Sequence, residues 1–131
     1  MPMKFELKDR NSLIIIDVKI FGKELNGDFK LALDTACTQT IIRPEILFAI
    51  GYRPQDFTKK IGVTTGTRTE EAFEYEIDGI ETLGYKIKKI KVVAKKLPMG
   101  LMIDGLIGLD FFRILRKKLI IDFENKELLI E

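Results

Sequence analysis

Apolar and polar positions alternate along much of this chain with a period of two, the mark of half-buried strands. KFELKD (4–9) alternates in this way, and SLIIIDVKIFG (12–22) is rich in the β-branched residues that strands favour. Turn-forming Asn26, Gly27 and Asp28 follow, and FKLALD (29–34) alternates again and ends on a carboxylate. Ile61–Thr67 and Ala72–Asp78 predict the arms of a hairpin around Gly66. Tyr85–Ala94 predicts a further strand, with a slip of phase at Lys88 and Lys89 that predicts a bulge. KLIIDFENKELLIE closes the chain as a hairpin around Glu124, Asn125 and Lys126.

Two segments read as short helices. Pro44 suits the first turn of PEILFAIGY (44–52), and Gly51 suits its stop. Asp110–Arg116 predicts the second, with the Asp110 carboxylate as its cap. Many short strands joined by short turns predict a small barrel or sandwich. FKLALDTACTQTII and GLMIDGLIGLDFF also echo one another, each running from an apolar strand through small residues to a turn near an Asp. Two such halves suit a pseudo-symmetric sheet.

Composition then narrows the chemistry. A chain of 131 residues without a linker or low-complexity stretch predicts one domain spanning residues 1–131. With 46% hydrophobic and 32% charged residues it reads as globular, not disordered. The 22 Lys and Arg nearly balance the 20 Asp and Glu, so charge gives no bias toward nucleic acid or an anionic membrane. Six lysines fall between Lys86 and Lys96, but Glu70, Glu71, Glu74, Glu76, Asp78 and Glu81 precede them. If those strands are neighbours, the face is charge-paired and solvated, and no nucleic-acid partner is expected. Apolar runs such as Leu13–Ile16 fall far short of the roughly 20 residues a membrane helix needs. No secretory signal is read at the N-terminus, so the expected location is the cytoplasm, without a membrane partner.

The chain has no histidine. That excludes a Ser–His–Asp triad, a Cys–His dyad and an HExxH zinc site within it. Cys37 is its one cysteine, which excludes an internal disulfide and reads as a small packing residue. Asp17, Asp104 and Asp122 show no calcium-binding spacing, so no metal is expected. Chemistry falls to carboxylates, hydroxyls, lysines, arginines or the lone Cys37 thiol. The best candidate is LALDTACTQTII (31–42), where Asp34 ends an apolar strand and enters a run of small and hydroxyl residues. The ordinary role for such an Asp is to open an Asx-turn.

A second segment, IDGLIGLDFF (103–112), adds weight. Together the two resemble the retropepsin-like aspartic peptidases. Asp34, Thr35, Ala36 and Cys37 stand where that family has Asp-Thr/Ser-Gly and a small residue. Leu106-Ile107-Gly108, Gly108-Leu109-Asp110 and Ile121-Asp122-Phe123 match its later motifs, and the resemblance spans about residues 12–131. It implies a mostly β fold, a closed acid-protease-type (half-pepsin) barrel with one or two short helices.

It also implies an aspartic endopeptidase without cofactor or metal. Its two chains form a homodimer that pairs Asp34 with its mate around a water and acts on a peptide or protein substrate. Thr35 then bonds across the two-fold, and the Ala36 N–H faces the carboxylate. Thr65, Gly66 and Thr67 become the tip of a flap, with Arg68 beside them. Ala36 departs from the family's glycine, and a methyl there bears on the opposing loop or the substrate. The alternative reading is a non-catalytic dimerisation or peptide-binding module that kept the fold.

Overall fold

A computed structural model describes residues 3–8, 13–65 and 67–131. In chain order its strands are β1 (Met3–Lys4), β2 (Glu6–Lys8), β3 (Leu13–Phe21), β4 (Asn26–Leu33) and β5 (Ile41–Ile42). Helix α1 (Pro44–Ala49) precedes β6 (Lys59–Thr65), β7 (Arg68–Thr82), β8 (Tyr85–Ala94) and β9 (Gly105–Ile107). Helix α2 (Leu109–Leu115), β10 (Leu119–Asp122) and β11 (Glu127–Ile130) complete it. Among the described residues no helix is long and apolar enough to cross a membrane.

Eight strands form one sheet in the order β2-β3-β4-β9-β5-β8-β7-β6, and an added pairing of β3 with β7 closes six of them into a ring. The alternation of β3 explains its place: Ile16, Val18 and Ile20 point inward, while Asp17 and Lys19 point to solvent. They meet Leu31, Ile77, Ile80, Val92 and Ile107 in one apolar cluster, which Phe111 and Leu128 also enter. Each fully buried side chain of this size stabilises the fold by about 1.5–3 kcal/mol before the entropy of ordering is subtracted. The terminal hairpin packs on this same barrel, with Leu128 and Ile130 buried in the shared core. Its turn is braced by the Asp122 carboxylate, which accepts the Asn125 N–H at 3.0 Å.

Three expectations need correction. The phase slip at Lys88–Lys89 is not a bulge, since β7 and β8 keep one register from Phe73↔Ala94 to Thr82↔Tyr85. Instead the ladder passes over Asp78 and Lys89, and Lys89 takes a left-handed backbone with φ 58°. Both strands change face together, so that Ile77 and Ile80 are both buried, as are Ile87 and Ile90. Tyr52, at the end of α1, braces this corner, its hydroxyl oxygen accepting the Asp78 N–H at 3.0 Å. Burial pushes the Tyr52 phenol up to about 12, so it stays protonated there.

The second correction concerns the central hairpin. Its arms are Lys59–Thr65 and Arg68 onward, and its second arm runs on to Thr82. Beyond the hairpin, β7 exchanges its partner β6 for β3. The third concerns α2, which begins at Leu109 with Gly108 as its cap residue. Asp110 lies inside the first turn, and its carboxylate is engaged elsewhere.

Candidate active site

The segment from Asp34 to Thr40 is held by a strand threaded through it. β4 and β9 run parallel, pairing Leu33 with Ile107. β9 then pairs antiparallel with β5 on its other edge, Leu106 against Ile41. The chain therefore leaves β4, loops around the end of β9 and returns beside it. Two glycines permit this closeness. A methyl on Gly105 would collide with the Ile41 carbonyl oxygen. One on Gly108 would lie 2.7 Å from the Cys37 carbonyl oxygen and 3.2 Å from the Thr40 nitrogen.

Within the loop, the Asp34 N–H donates to the Ile107 carbonyl at 3.0 Å, extending the strand by one bond. The Asp34 Oδ1 accepts the Ala36 N–H at 3.0 Å, and the Asp34 carbonyl accepts the Cys37 N–H at 3.1 Å. Asp34 thus opens an Asx-turn, and the same bond orients its half-buried carboxylate. Thr35 and Ala36 face solvent at the apex. Ala36 is not among the described residues with a left-handed backbone. Its methyl therefore meets no conformational penalty, although glycine is usual there.

The far end of the loop is tied to α2. Thr40 is fully buried, and its N–H and hydroxyl donate to the two Asp110 oxygens at 3.0 and 2.8 Å. Its hydroxyl oxygen also accepts the Gly108 N–H at 3.2 Å. This is the work of Asp110 in place of capping: it fixes where the loop rejoins the sheet. The Cys37 carbonyl accepts the Leu109 N–H at 2.8 Å, and its Sγ donates to the Gln39 carbonyl at 2.9 Å. Burial is the chief cause that raises the Cys37 thiol above its ordinary value, so it remains a protonated packing group.

Two anchors carry no sequence motif. The Gln39 amide donates to the Glu74 carboxylate at 3.0 Å and to the Lys91 carbonyl at 3.3 Å. Glu74 stands at the base of the hairpin, is buried, and also accepts the Thr58 hydroxyl at 3.1 Å. The Gln39 hydrogen bond holds its carboxyl below the usual carboxylate range against the opposing effect of burial, with Thr58 assisting. Glu74 is therefore not part of the solvated acidic face expected for it. On the same strands Glu76 stands opposite Lys91 and Glu81 opposite Lys86 in register, and Lys89 pairs with Asp78 at 3.3 Å. The other anchor is Arg43, whose guanidinium donates to the carbonyls of Leu97 at 2.7 Å and Pro98 at 3.0 Å, and also to that of Ile103. One planar fork fixes the segment leading into β9.

Thr65 ends β6 opposite Arg68, Thr67 is exposed in the turn, and Gly66 falls outside the described residues. Lower on the arms, Ile61 and Ala72 meet Cys37, Ile41 and Leu106 in a small second apolar cluster. The structure thus unites Asp34, Thr35 and Ala36 in one turn and links them to the hairpin through its middle.

A family model described as aspartyl protease matches residues 16–111, from β3 into α2. The chain belongs to the aspartyl protease family. Its fold is retropepsin-like, as solved structures show. A retropepsin-like aspartic protease from Rickettsia conorii is 18% identical with a TM-score of 0.72, the alignment covering 99% of this chain and 89% of that one. An inhibitor complex of EIAV protease is 17% identical with a TM-score of 0.61, covering 86% and 97%. No curated protein sequence matches. The matched region contains the Asp34 turn, both arms of the hairpin and the Gly108 entry to α2.

Proposed function

We propose that this member of the aspartyl protease family is an aspartic endopeptidase whose active centre forms when two copies bring their Asp34 carboxylates together. The observation that carries the reading is the Asp34 turn: one carboxylate, oriented by the Ala36 N–H at 3.0 Å, with Thr35 and Ala36 exposed beside it. An isologous contact places the same residue on both sides of a two-fold axis. Two carboxylates about 3 Å apart repel by about 5 kcal/mol at an effective dielectric near 20. That is about 4 pKa units, so one proton is shared while the second group is ionised. The ionised oxygen takes a proton from a bridging water. The protonated one polarises the scissile carbonyl and donates as the tetrahedral species forms.

The other residues fall into supporting roles. Thr35 bonds across the two-fold. The hairpin acts as a flap, with Thr65, Gly66 and Thr67 closing over an extended peptide that pairs with its backbone. The whole chain, residues 1–131, acts as one domain, and neither metal nor cofactor takes part. A non-catalytic peptide-binding module is the competing reading, and it rests on Ala36. The unstrained backbone at Ala36 weakens it. The deciding experiment is Asp34→Asn in the full chain. Cleavage of a peptide library should vanish while light scattering still reports a dimer, and undiminished turnover would refute the mechanism.

A further inference from the structure

A groove of about 720 Å³ begins where the Asp34 loop ends. Thr38 and Gln39 form its near wall, Lys89 and Lys91 of β8 its floor, and Arg113 and Ile114 of α2 its far wall. Lys89, Lys91 and Arg113 are all exposed. Lys89 is bonded to Asp78 at 3.3 Å. Among the described residues neither Lys91 nor Arg113 has an ion pair within 4 Å, and the Arg113 guanidinium makes no hydrogen bond. The one carboxylate in the lining, Asp110, is already occupied by the Thr40 N–H, the Thr40 hydroxyl and the Phe111 N–H. Its charge is bound inward; Lys91 stands opposite Glu76 across the β7–β8 ladder without a close ion pair, and Arg113 is left facing out.

We infer that this groove receives an acidic segment of the substrate peptide, flanking the bond to be cut. The inference rests on the endopeptidase reading for the placement of that bond. Thr38 is four positions from Asp34, so it lies no more than about 14 Å from it along the chain. An extended peptide covers that span in about four residues. The acidic residues therefore stand within about five positions of the scissile bond. A peptide suits the groove better than a nucleic acid, because its lining holds no aromatic ring on which a base could stack. Ile114, 53% exposed, offers an apolar edge for an aliphatic side chain between the acids.

The test uses two pools of labelled short peptides, randomised at the centre and bearing either three Glu or three Gln at one end. Binding to the full-length Asp34→Asn protein is followed by fluorescence anisotropy. The Glu pool should bind about tenfold tighter at low salt, an advantage that fades as salt screens the contacts. Lys91→Glu and Arg113→Gln should each erode that ratio, and Lys118→Glu, outside the groove, should keep it. With the wild-type protein the Glu pool should be cleaved with the lower KM. Equal binding of both pools, or a ratio untouched by Lys91→Glu and Arg113→Gln, would overturn the inference. So would a single-stranded oligonucleotide that binds more tightly than the Glu pool. Selective binding without any cleavage supports the groove and counts against the endopeptidase reading alone.

Discussion

The two parts of the proposed site are built in opposite ways. The Asp34–Thr40 loop is clamped: β9 is threaded through it, α2 starts against it, and buried Thr40 bonds both. The hairpin loses its neighbours as it rises. β7 pairs with β8 only from Phe73 onward, so Arg68–Ala72 pair with β6 alone, and Arg68–Glu71 are exposed. A two-stranded ribbon of this kind is marginally stable by itself, whereas a loop fixed at both ends opens only with the core around it. On the endopeptidase proposal, the carboxylate held for proton transfer sits on the clamped part, and the element that parts to admit a chain is the loose one.

The contrast can be broken at the clamp. Gly108→Ala places a methyl against the Cys37 carbonyl and the Thr40 nitrogen, and neither backbone group can swing away. The expected loss is about 3 kcal/mol, read by chemical denaturation, because over-packing against backbone is at the costly end of such changes. Hydrogen exchange should rise in the loop more than in the hairpin. An unchanged denaturation midpoint would show that the loop tolerates more than its geometry implies.

A smaller effect lies at the joint between the two parts. Glu74 has its folded-state pKa lowered by the Gln39 hydrogen bond first and by Thr58 after it. A lowered folded value means that the unfolded chain binds more protons, so stability from this group rises with pH. Its contribution is complete above the ordinary value of 4.5 and is lost as pH falls through the folded value. Glu74→Gln should flatten that part of the acid-stability curve and loosen the hairpin in hydrogen exchange at neutral pH. An identical acid limb in wild type and variant would remove Glu74 from the joint.

Ala36→Gly should have the smallest effect. Ala36 has no left-handed backbone to relieve, so glycine gains nothing in the folded state and adds freedom to the unfolded chain. A loss of about 0.4–1 kcal/mol is expected by thermal melting. Peptide turnover should be held or raised, and a sharp fall would show that the methyl has a role at the apex.

What the sequence made legible was local. The strands, the Asx-turn at Asp34, the helix from Pro44 and the Leu106-Ile107-Gly108 segment each announce themselves within a dozen residues. The clamp does not. Asp110 looks like a helix cap until Thr40, 70 positions away, claims both of its oxygens. Glu74 looks like one of a row of solvated acids, because its partner Gln39 lies 35 positions upstream. Arg43 has no motif at all, since the carbonyls it gathers lie 54 to 60 positions ahead. The slip at Lys89 was visible, but only the matching change on β7 distinguishes a corner from an inserted residue.

The threading of β9 also sets a timetable. Leu33 and Ile41 leave the ribosome long before Leu106 and Ile107, the residues that separate them in the finished sheet. A nascent chain that has reached only β8 has no wedge to hold Asp34 in place. Most of this polypeptide is therefore made before the Asp34 turn can take its final place, and a product cut short of β9 lacks that turn's support.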